Sequence, residues 1–125
     1  MNFEDRVTKE YLENAIAGAA PKFEFGSYIG TGEYGAEHPT TITFGFEPKI
    51  VFINSREYSD GGFCNFFIRG ANQASTISNS GAEYKATFHY QCVSWEGNTL
   101  SFYTGNNVRA QANVENRTYY YLAIG

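Results

Sequence analysis

Residues 40–53 read TTITFGFEPKIVFI, and this stretch decides the fold class. In its first half, Ile42, Phe44 and Phe46 alternate with polar or small residues, which is the period of two typical of a half-buried β-strand. Its second half, KIVFI at 49–53, is a continuous apolar run and predicts a strand that is buried on both faces. The stretch therefore predicts two strands joined by a short connection at 47–48.

The same pattern continues on both sides. Gly- and Asn-containing turn signals separate the segments, notably WEGN at 95–98 and GNN at 105–107. Further strand-like segments lie at 23–25, 61–70, 84–92, 99–104 and 118–125. In the longest alternation, 84–92, Tyr90 and Cys92 share one face and His89 and Gln91 the other. Seven or eight short strands with such turns predict an all-β protein, as an antiparallel β-sandwich or a small barrel.

The N-terminal segment differs from the rest of the chain. Thr8 as N-cap, Glu10 in the first turn and Gly18 as terminator predict a short α-helix. Ala19, Ala20 and Pro21 then form a hinge. We therefore expect an N-terminal helix and hinge over 1–21 and a β-sandwich over 22–125.

Length and charge exclude several classes of protein. The 125 residues are the length of one domain, and a net charge of −4 argues against a nucleic-acid partner. No apolar run approaches the roughly 20 residues of a membrane span, so we expect no membrane insertion. The start, MNFEDRVTKE, is polar and acidic and predicts no signal peptide. Cys64 and Cys92 lie in apolar strand patterns and are expected to be buried free thiols, with a disulfide between them left open.

No motif points to catalysis, a metal or a cofactor. Residues 30–35 spell GxGxxG, but no helix follows to hold a pyrophosphate, so the glycines are expected to shape a long connection instead. His38 and His89 are too far apart in sequence to indicate a metal site, and no GxSxG nucleophile motif is present. Carboxylate pairs such as Glu33/Glu37 and Glu57/Asp60 leave acid–base cleavage of a sugar as a minor alternative. We expect a protein that is not an enzyme.

The loops carry groups suited to carbohydrate. Aromatic rings stack on the apolar faces of sugars, while His, Arg and Asp side chains bond to hydroxyls. If strands alternate strictly, the loops at 30–39, 55–62, 95–98 and 113–117 gather at the end far from the helix. The loops at 47–48, 70–82 and 105–107 then face the helix. The candidate glycan-binding residues of the far end are Tyr34, His38, Arg56, Tyr58, Asp60 and Trp95.

Three stretches also carry a family resemblance. They are TGEYGAEHPTTITFGFEPKIVFI (Thr31 to Ile53), SWEGNTLSFY (Ser94 to Tyr103) and the terminal TYYYLAIG (Thr118 to Gly125). Together they resemble the C-terminal receptor-binding (tip) domain of phage and prophage tail-fibre proteins. The F-x-P-K phrase and the last aromatic strand also look like the H-type lectin fold, a compact antiparallel sandwich.

This resemblance implies a virion protein made in the bacterial cytoplasm. It implies a homotrimer that binds a host cell-surface glycan and joins other tail or baseplate proteins, with the N-terminal helix as the stub of a fibre shaft. The alternatives are a purely structural cap that trimerises the fibre, or a glycan depolymerase. The chain lacks the HxH iron motif of some phage spikes, and its loops do not align with lectin sugar sites, so no individual sugar-contacting residue is transferred.

Overall fold

The computed structural model describes residues 8–14, 22–55, 63–80, 85–105 and 107–125. Residues 8–14 form helix α1, and eight strands follow. They are β1 (Phe23–Ile29), β2 (Thr40–Thr43), β3 (Ile50–Ser55), β4 (Phe63–Ile68), β5 (Gln73–Ser80), β6 (Lys85–Glu96), β7 (Thr99–Tyr103) and β8 (Thr118–Ile124). The predicted all-β class with a short N-terminal helix is confirmed.

The strands pair in the order β1-β8-β3-β4-β5-β6-β7-β2, always antiparallel. This sheet folds over itself into two layers, a first layer β1-β8-β3-β4 and a second layer β5-β6-β7-β2. The layers are joined where β4 pairs with β5, over Phe63 to Asn65. Rings from the two layers meet in the interior, with the centroids of Phe67 and Phe102 4.5 Å apart. The architecture is an antiparallel β-sandwich.

Alternation along each strand sends every second side chain into the core. On β3, Val51 and Ile53 are fully buried, while Phe52 between them is exposed. On β7, Leu100 and Phe102 are fully buried and face them from the other layer. Burying each such side chain contributes about 1.5–3 kcal/mol, so these strands supply most of the driving force for folding.

The predicted strand over 40–46 is shorter in the structure. Strand β2 ends at Thr43, and Phe44 and Phe46 lie in the connection to β3. Both rings still contribute to the core. Phe44 is buried, with its ring edge-on to that of Tyr121 at 5.3 Å between centroids, and Phe46 packs against the same cluster.

Strand β5 lies inside the segment 70–82, which the sequence predicted as a loop, and this prediction was wrong. Its sequence, QASTISNS, has one large apolar residue and carries no hydrophobic period. Pairing with β6 over eight residue pairs, from Gln73 to Ser80, holds it in the sheet nonetheless. Backbone hydrogen bonds to neighbouring strands decide its conformation, and side-chain pattern does not.

Because β5 was not predicted, β6 runs in the opposite direction to the one expected from strict alternation. The loops that share an end of the sandwich therefore differ from the predicted grouping. At the loop end lie the β1–β2 connection at 30–39 and the β7–β8 connection at 104–117, joined by Gly32 N to Asn113 O at 2.7 Å. At the opposite entry end, where Lys22 bonds to Gly125, lie the connections at 44–49, 69–72 and 97–98. The predicted grouping was therefore wrong for 95–98 and for 105–107, which exchange ends.

The described side chains of β6 alternate between the core and the solvent. Gln91 is buried, whereas Tyr90 and Cys92 are exposed. The Gln91 amide donates to Asn65 Oδ1 at 3.0 Å and to the Ala110 carbonyl, which compensates its burial. Cys92 is a free thiol on the surface, so the prediction that it is buried was wrong. The side chain of Cys64 lies outside the described residues.

Helix α1 is exposed along its whole described length, including Tyr11 and Leu12. The predicted continuation to Gly18 and the hinge at 19–21 lie outside the described residues. Nowhere in the described part of the chain is there a helix whose length and hydropathy would let it cross a membrane.

Candidate functional site

The loop end is organised around Gln111, a fully buried glutamine in the β7–β8 connection. Its Oε1 accepts hydrogen bonds from the backbone N–H of Gly35 and of Thr104, each at 3.0 Å. Its Nε2 donates to the carbonyl of His38 at 2.7 Å. One side chain thus ties the two long connections together, because its amide satisfies backbone groups on both.

Asn113, which is also buried, bonds to the beginning of the β1–β2 connection. Its Oδ1 accepts from the N–H of Thr31 at 3.0 Å, and its Nδ2 donates to the Glu33 carbonyl at 2.7 Å and to Thr31 Oγ1 at 2.8 Å. A satisfied buried polar network of this kind restricts a loop to one conformation. Residues 31–38 are therefore fixed before any ligand arrives.

The glycines of the 30–35 motif shape this loop, as predicted from the sequence. Gly32 and Gly35 have φ of +86° and +99°, a region that favours glycine. A Cβ at Gly30 would overlap the Val114 carbonyl. The residues after the motif form a turn and lead into β2, so no helix N-terminus is present to bind a phosphate.

A groove of about 310 Å³ opens beside the loop. Its lining combines hydroxyl, carboxylate, imidazole and amide groups with a few apolar surfaces. The lining residues are Tyr28, Ile29, Thr31, Glu33, His38, Pro39, Thr40, Thr41 and Asn113. Its volume lies at the lower limit of small-ligand pockets, about 300 Å³.

The His38 imidazole and the Glu33 carboxylate meet beside the groove. His38 Nδ1 lies 3.3 Å from Glu33 Oε2, and both side chains are more than half exposed. Exposed pairs of this kind contribute little to stability, because water screens them. Their hydrogen-bonding atoms remain accessible to a ligand. Tyr34, on the same loop, is 47% exposed and offers an aromatic ring.

Tyr28, at the floor of the groove, has a structural role. Its hydroxyl donates to the Ala112 carbonyl at 2.8 Å, and its ring stacks on Tyr119 at 5.2 Å between centroids. Burial, with a smaller contribution from Tyr119, raises the pKa of Tyr28 well above its ordinary value. The hydroxyl therefore stays protonated and remains a hydrogen-bond donor.

Of the six predicted glycan-binding residues, His38 lines the groove and Tyr34 is exposed on the same loop without lining it. Arg56, Tyr58 and Asp60 lie outside the described residues. Trp95 lies at the entry end instead. It belongs to β6, which runs opposite to the expected direction because β5 was not predicted.

Trp95 and Arg69 together form a structural cluster. The Arg69 guanidinium lies over the Trp95 ring, 4.8 Å from its centroid, and the ring packs against the core. Arg69 also donates to the carbonyls of Pro48 at 2.6 Å and Gly97 at 2.7 Å. These hydrogen bonds link the three connections of the entry end through Arg69. The Arg69 guanidinium also covers one face of the Trp95 ring.

Sequence reasoning missed Thr31, Asn113 and Gln111, and it considered Glu33 only as one of a carboxylate pair. The segment around QAN at 111–113 has no apolar period, and nothing local marks its amides as buried. Their role depends on a segment more than 70 positions earlier in the chain. Only the closing of the two connections over each other brings these groups together.

Among the residues that the structure describes, no three His, Cys, Asp or Glu side chains lie close enough to hold a metal ion. Comparison of this chain with protein-family models, curated proteins and solved structures found no match. The resemblance to tail-fibre tip domains therefore stays a prediction from sequence.

Proposed function

We propose that this chain is the tip domain of a phage or prophage tail fibre, trimeric in the virion, and that its loop end binds a glycan of the host cell surface. The observation that carries the proposal is the loop at 31–38, which two buried amides fix beside an open polar groove. A loop ordered in advance binds without the entropic cost of ordering it. A scaffold of this type is suited to recognition.

The position of the groove agrees with the direction of a fibre. The N-terminal segment reaches the sandwich at Lys22, at the entry end, and the groove lies at the loop end. A shaft continuing from the N-terminal helix would therefore direct the groove away from itself and towards a target surface. Antiparallel pairing of β1 with β8 sets this polarity.

The chemistry of the groove suits a neutral or amino-bearing sugar. Glu33, His38 and Thr31, which line the groove, would bond to hydroxyls or to an amino group. The exposed Tyr34 ring lies on the same loop outside the groove lining and would stack on an apolar face of a sugar that extends beyond the groove. A shallow site of this size binds weakly. Three copies on one fibre would raise the overall affinity through effective concentration.

Binding of the purified full chain to isolated host-envelope glycan, measured by surface plasmon resonance, tests this proposal. We expect Tyr34→Ala to weaken binding about tenfold, equivalent to about 1.4 kcal/mol. Tyr90→Ala is the matched control, because Tyr90 is also an exposed tyrosine but lies on β6. Equal binding by Tyr34→Ala and the unmodified chain would remove Tyr34 from the site, and equal binding by His38→Ala as well would remove the loop.

The purely structural cap is the second candidate, and the exposed apolar surface of the first layer favours it. It predicts that no envelope glycan is retained by the chain or by either variant. A glycan depolymerase would instead release reducing sugar from the same material, which a colorimetric assay detects. Glycan binding, a structural cap and a depolymerase therefore give three different results with the same set of samples.

A further inference from the structure

The outer face of the first layer carries an apolar surface that crosses all four strands. The strand register places Phe25, Leu122, Phe52 and Phe66 side by side in one row. The adjacent row is Phe23, Ile124, Ile50 and Ile68. We call these two rows, with Ile29 and Tyr120, the apolar face.

Much of the apolar face is open to solvent in a single copy. Its most exposed members are Phe23 (56%), Phe25 (78%), Ile29 (65%), Ile68 (49%) and Tyr120 (47%), and Phe52 and Phe66 are each about 40% exposed. Their combined exposed area is roughly 700 Å², against roughly 800 Å² buried per partner in a standard protein interface. Monomeric proteins rarely expose a contiguous apolar patch above about 600 Å².

The apolar face also lacks charge. At the outward positions of β1, β8, β3 and β4 the described residues include no Asp, Glu, Lys or Arg. Such a surface offers no electrostatic complementarity to a charged partner. Interfaces between copies of one chain are characteristically more apolar than those between different, separately soluble proteins.

We infer that the apolar face packs against further copies of this chain. Its area matches one interface, and its lack of charge lets copies that each carry a net charge of −4 approach each other there. In a threefold arrangement this face of each copy would point to the axis. The inference specifies the surface of the proposed assembly and rests on that part of the proposed function, but not on glycan binding.

Helix α1 is also open to solvent in a single copy. Its seven described residues are all exposed, including Tyr11 at 68%. Helices this short are marginal in water without packing partners. Neighbouring copies assembled around one axis would bring their N-terminal segments together and cover these side chains.

Light scattering during size exclusion of the full chain tests the inference. We expect a mass of three times the 14.0 kDa of one chain. Phe25→Ser and Phe52→Asp should each shift the species to monomer, with at least a hundredfold weaker association. Tyr90→Ser is the matched control and should leave the mass unchanged, because Tyr90, 76% exposed, lies on the other layer.

Circular dichroism of each variant separates loss of assembly from loss of folding. Phe25 makes few contacts within its own chain, and Ile68→Thr supplies a second variant whose β-branched side chain keeps the strand. A folded trimer that persists in Phe25→Ser, Phe52→Asp and Ile68→Thr would overturn the apolar face as the interface while leaving the assembly in place. A monomeric unmodified chain would overturn both, and glycan binding would still be decided by its own test.

Discussion

The two outer faces of the sandwich follow the same alternation but differ in chemistry. The first layer presents rows of Phe and Ile, as in Phe25 and Phe52. The described part of the second layer presents hydroxyls, with Thr41 bonded to Ser101 and Thr43 to Thr99, each at 3.0 Å. Antiparallel sheets normally have one face in the core and one in water, and only the second layer follows this rule. The difference indicates that the first layer is incomplete in a single copy.

The apolar run KIVFI at 49–53 illustrates the incomplete burial of the first layer. Its continuous hydrophobicity predicts a strand buried on both faces. In one copy, Val51 and Ile53 are buried, while Phe52 remains 39% exposed. The prediction is met on one face within the chain. On the other face, the predicted burial requires that another molecule covers the strand.

The largest expected effect contrasts two neighbouring rings of β4. Phe67 is 1% exposed and contacts Phe102, so Phe67→Ala should lower the free energy of unfolding by about 3–5 kcal/mol. Phe66 points outwards against Phe52, and Phe66→Ala should cost only about 1 kcal/mol in dilute solution. Urea denaturation at two protein concentrations measures both. Equal losses in the dilute samples would mean that the apolar face stabilises the single chain.

The next contrast is between a buried and an exposed glutamine side chain. Gln111→Ala should cost about 3 kcal/mol, because it leaves the buried N–H groups of Gly35 and Thr104 without their acceptor. Gln73→Ala is the matched control, because Gln73 at the start of β5 is exposed, and it should cost less than about 0.5 kcal/mol. Thermal unfolding followed by circular dichroism compares them. A similar melting temperature for both variants would contradict the role assigned to Gln111.

A third test uses pH on the inner face of the first layer. Burial raises the pKa of Tyr28, and burial with Glu24 raises that of Tyr121. The folded protein therefore holds these protons more tightly than the unfolded chain does. Their contribution to stability should be constant below pH of about 10, the ordinary Tyr pKa. Above that pH it should fall by up to about 1.4 kcal/mol per pH unit for Tyr28, and by much less for Tyr121, because water screens this more exposed group.

The variant Tyr28→Phe should make this alkaline fall less steep, with Tyr121 responsible for what remains. It should also cost about 1 kcal/mol near neutral pH, through loss of the hydrogen bond to Ala112, so the slopes are compared rather than the values. Urea midpoints from pH 8 to 11 give the slopes. An unchanged slope in Tyr28→Phe would show that this tyrosine titrates alike in both states.

The smallest effect is expected on the hydroxyl face. Thr43→Ala removes one exposed hydroxyl pair with Thr99 and should cost about 0.5 kcal/mol or less, because water replaces the lost partner. Its solution mass should equal that of the unmodified chain. A shift towards monomer would show that the second layer also takes part in assembly and would break the contrast between the faces.

Much of the fold could be predicted from the sequence alone. Alternation at Phe23 and Phe25, the run at 49–53 and the terminal TYYYLAIG all lie in observed strands. Strand β5 could not be predicted, because its Ser- and Thr-rich sequence carries no apolar period. Missing one strand reversed the next, and Trp95 was therefore assigned to the wrong end.

The candidate site was predicted less completely than the fold. Tyr34 and His38 were found because exposed aromatic and imidazole side chains in a Gly-rich connection are visible in the sequence. Gln111 and Asn113 were not, because an amide shows no local sign of whether water or backbone will be its partner. Their partners lie in a distant connection that folding brings into hydrogen-bonding distance.

The sequence by itself determined the all-β class, most of the strand segments and the glycine-shaped loop at 30–35. Period-two hydrophobicity and backbone sterics are local properties, and they act before any long-range contact forms. Tertiary structure decided which face of β6 is buried, which loops share an end and that the apolar rows of the first layer remain uncovered. A period of two states which residues lie on the same side of a strand, but only the neighbour across the sheet decides whether that side is core or surface.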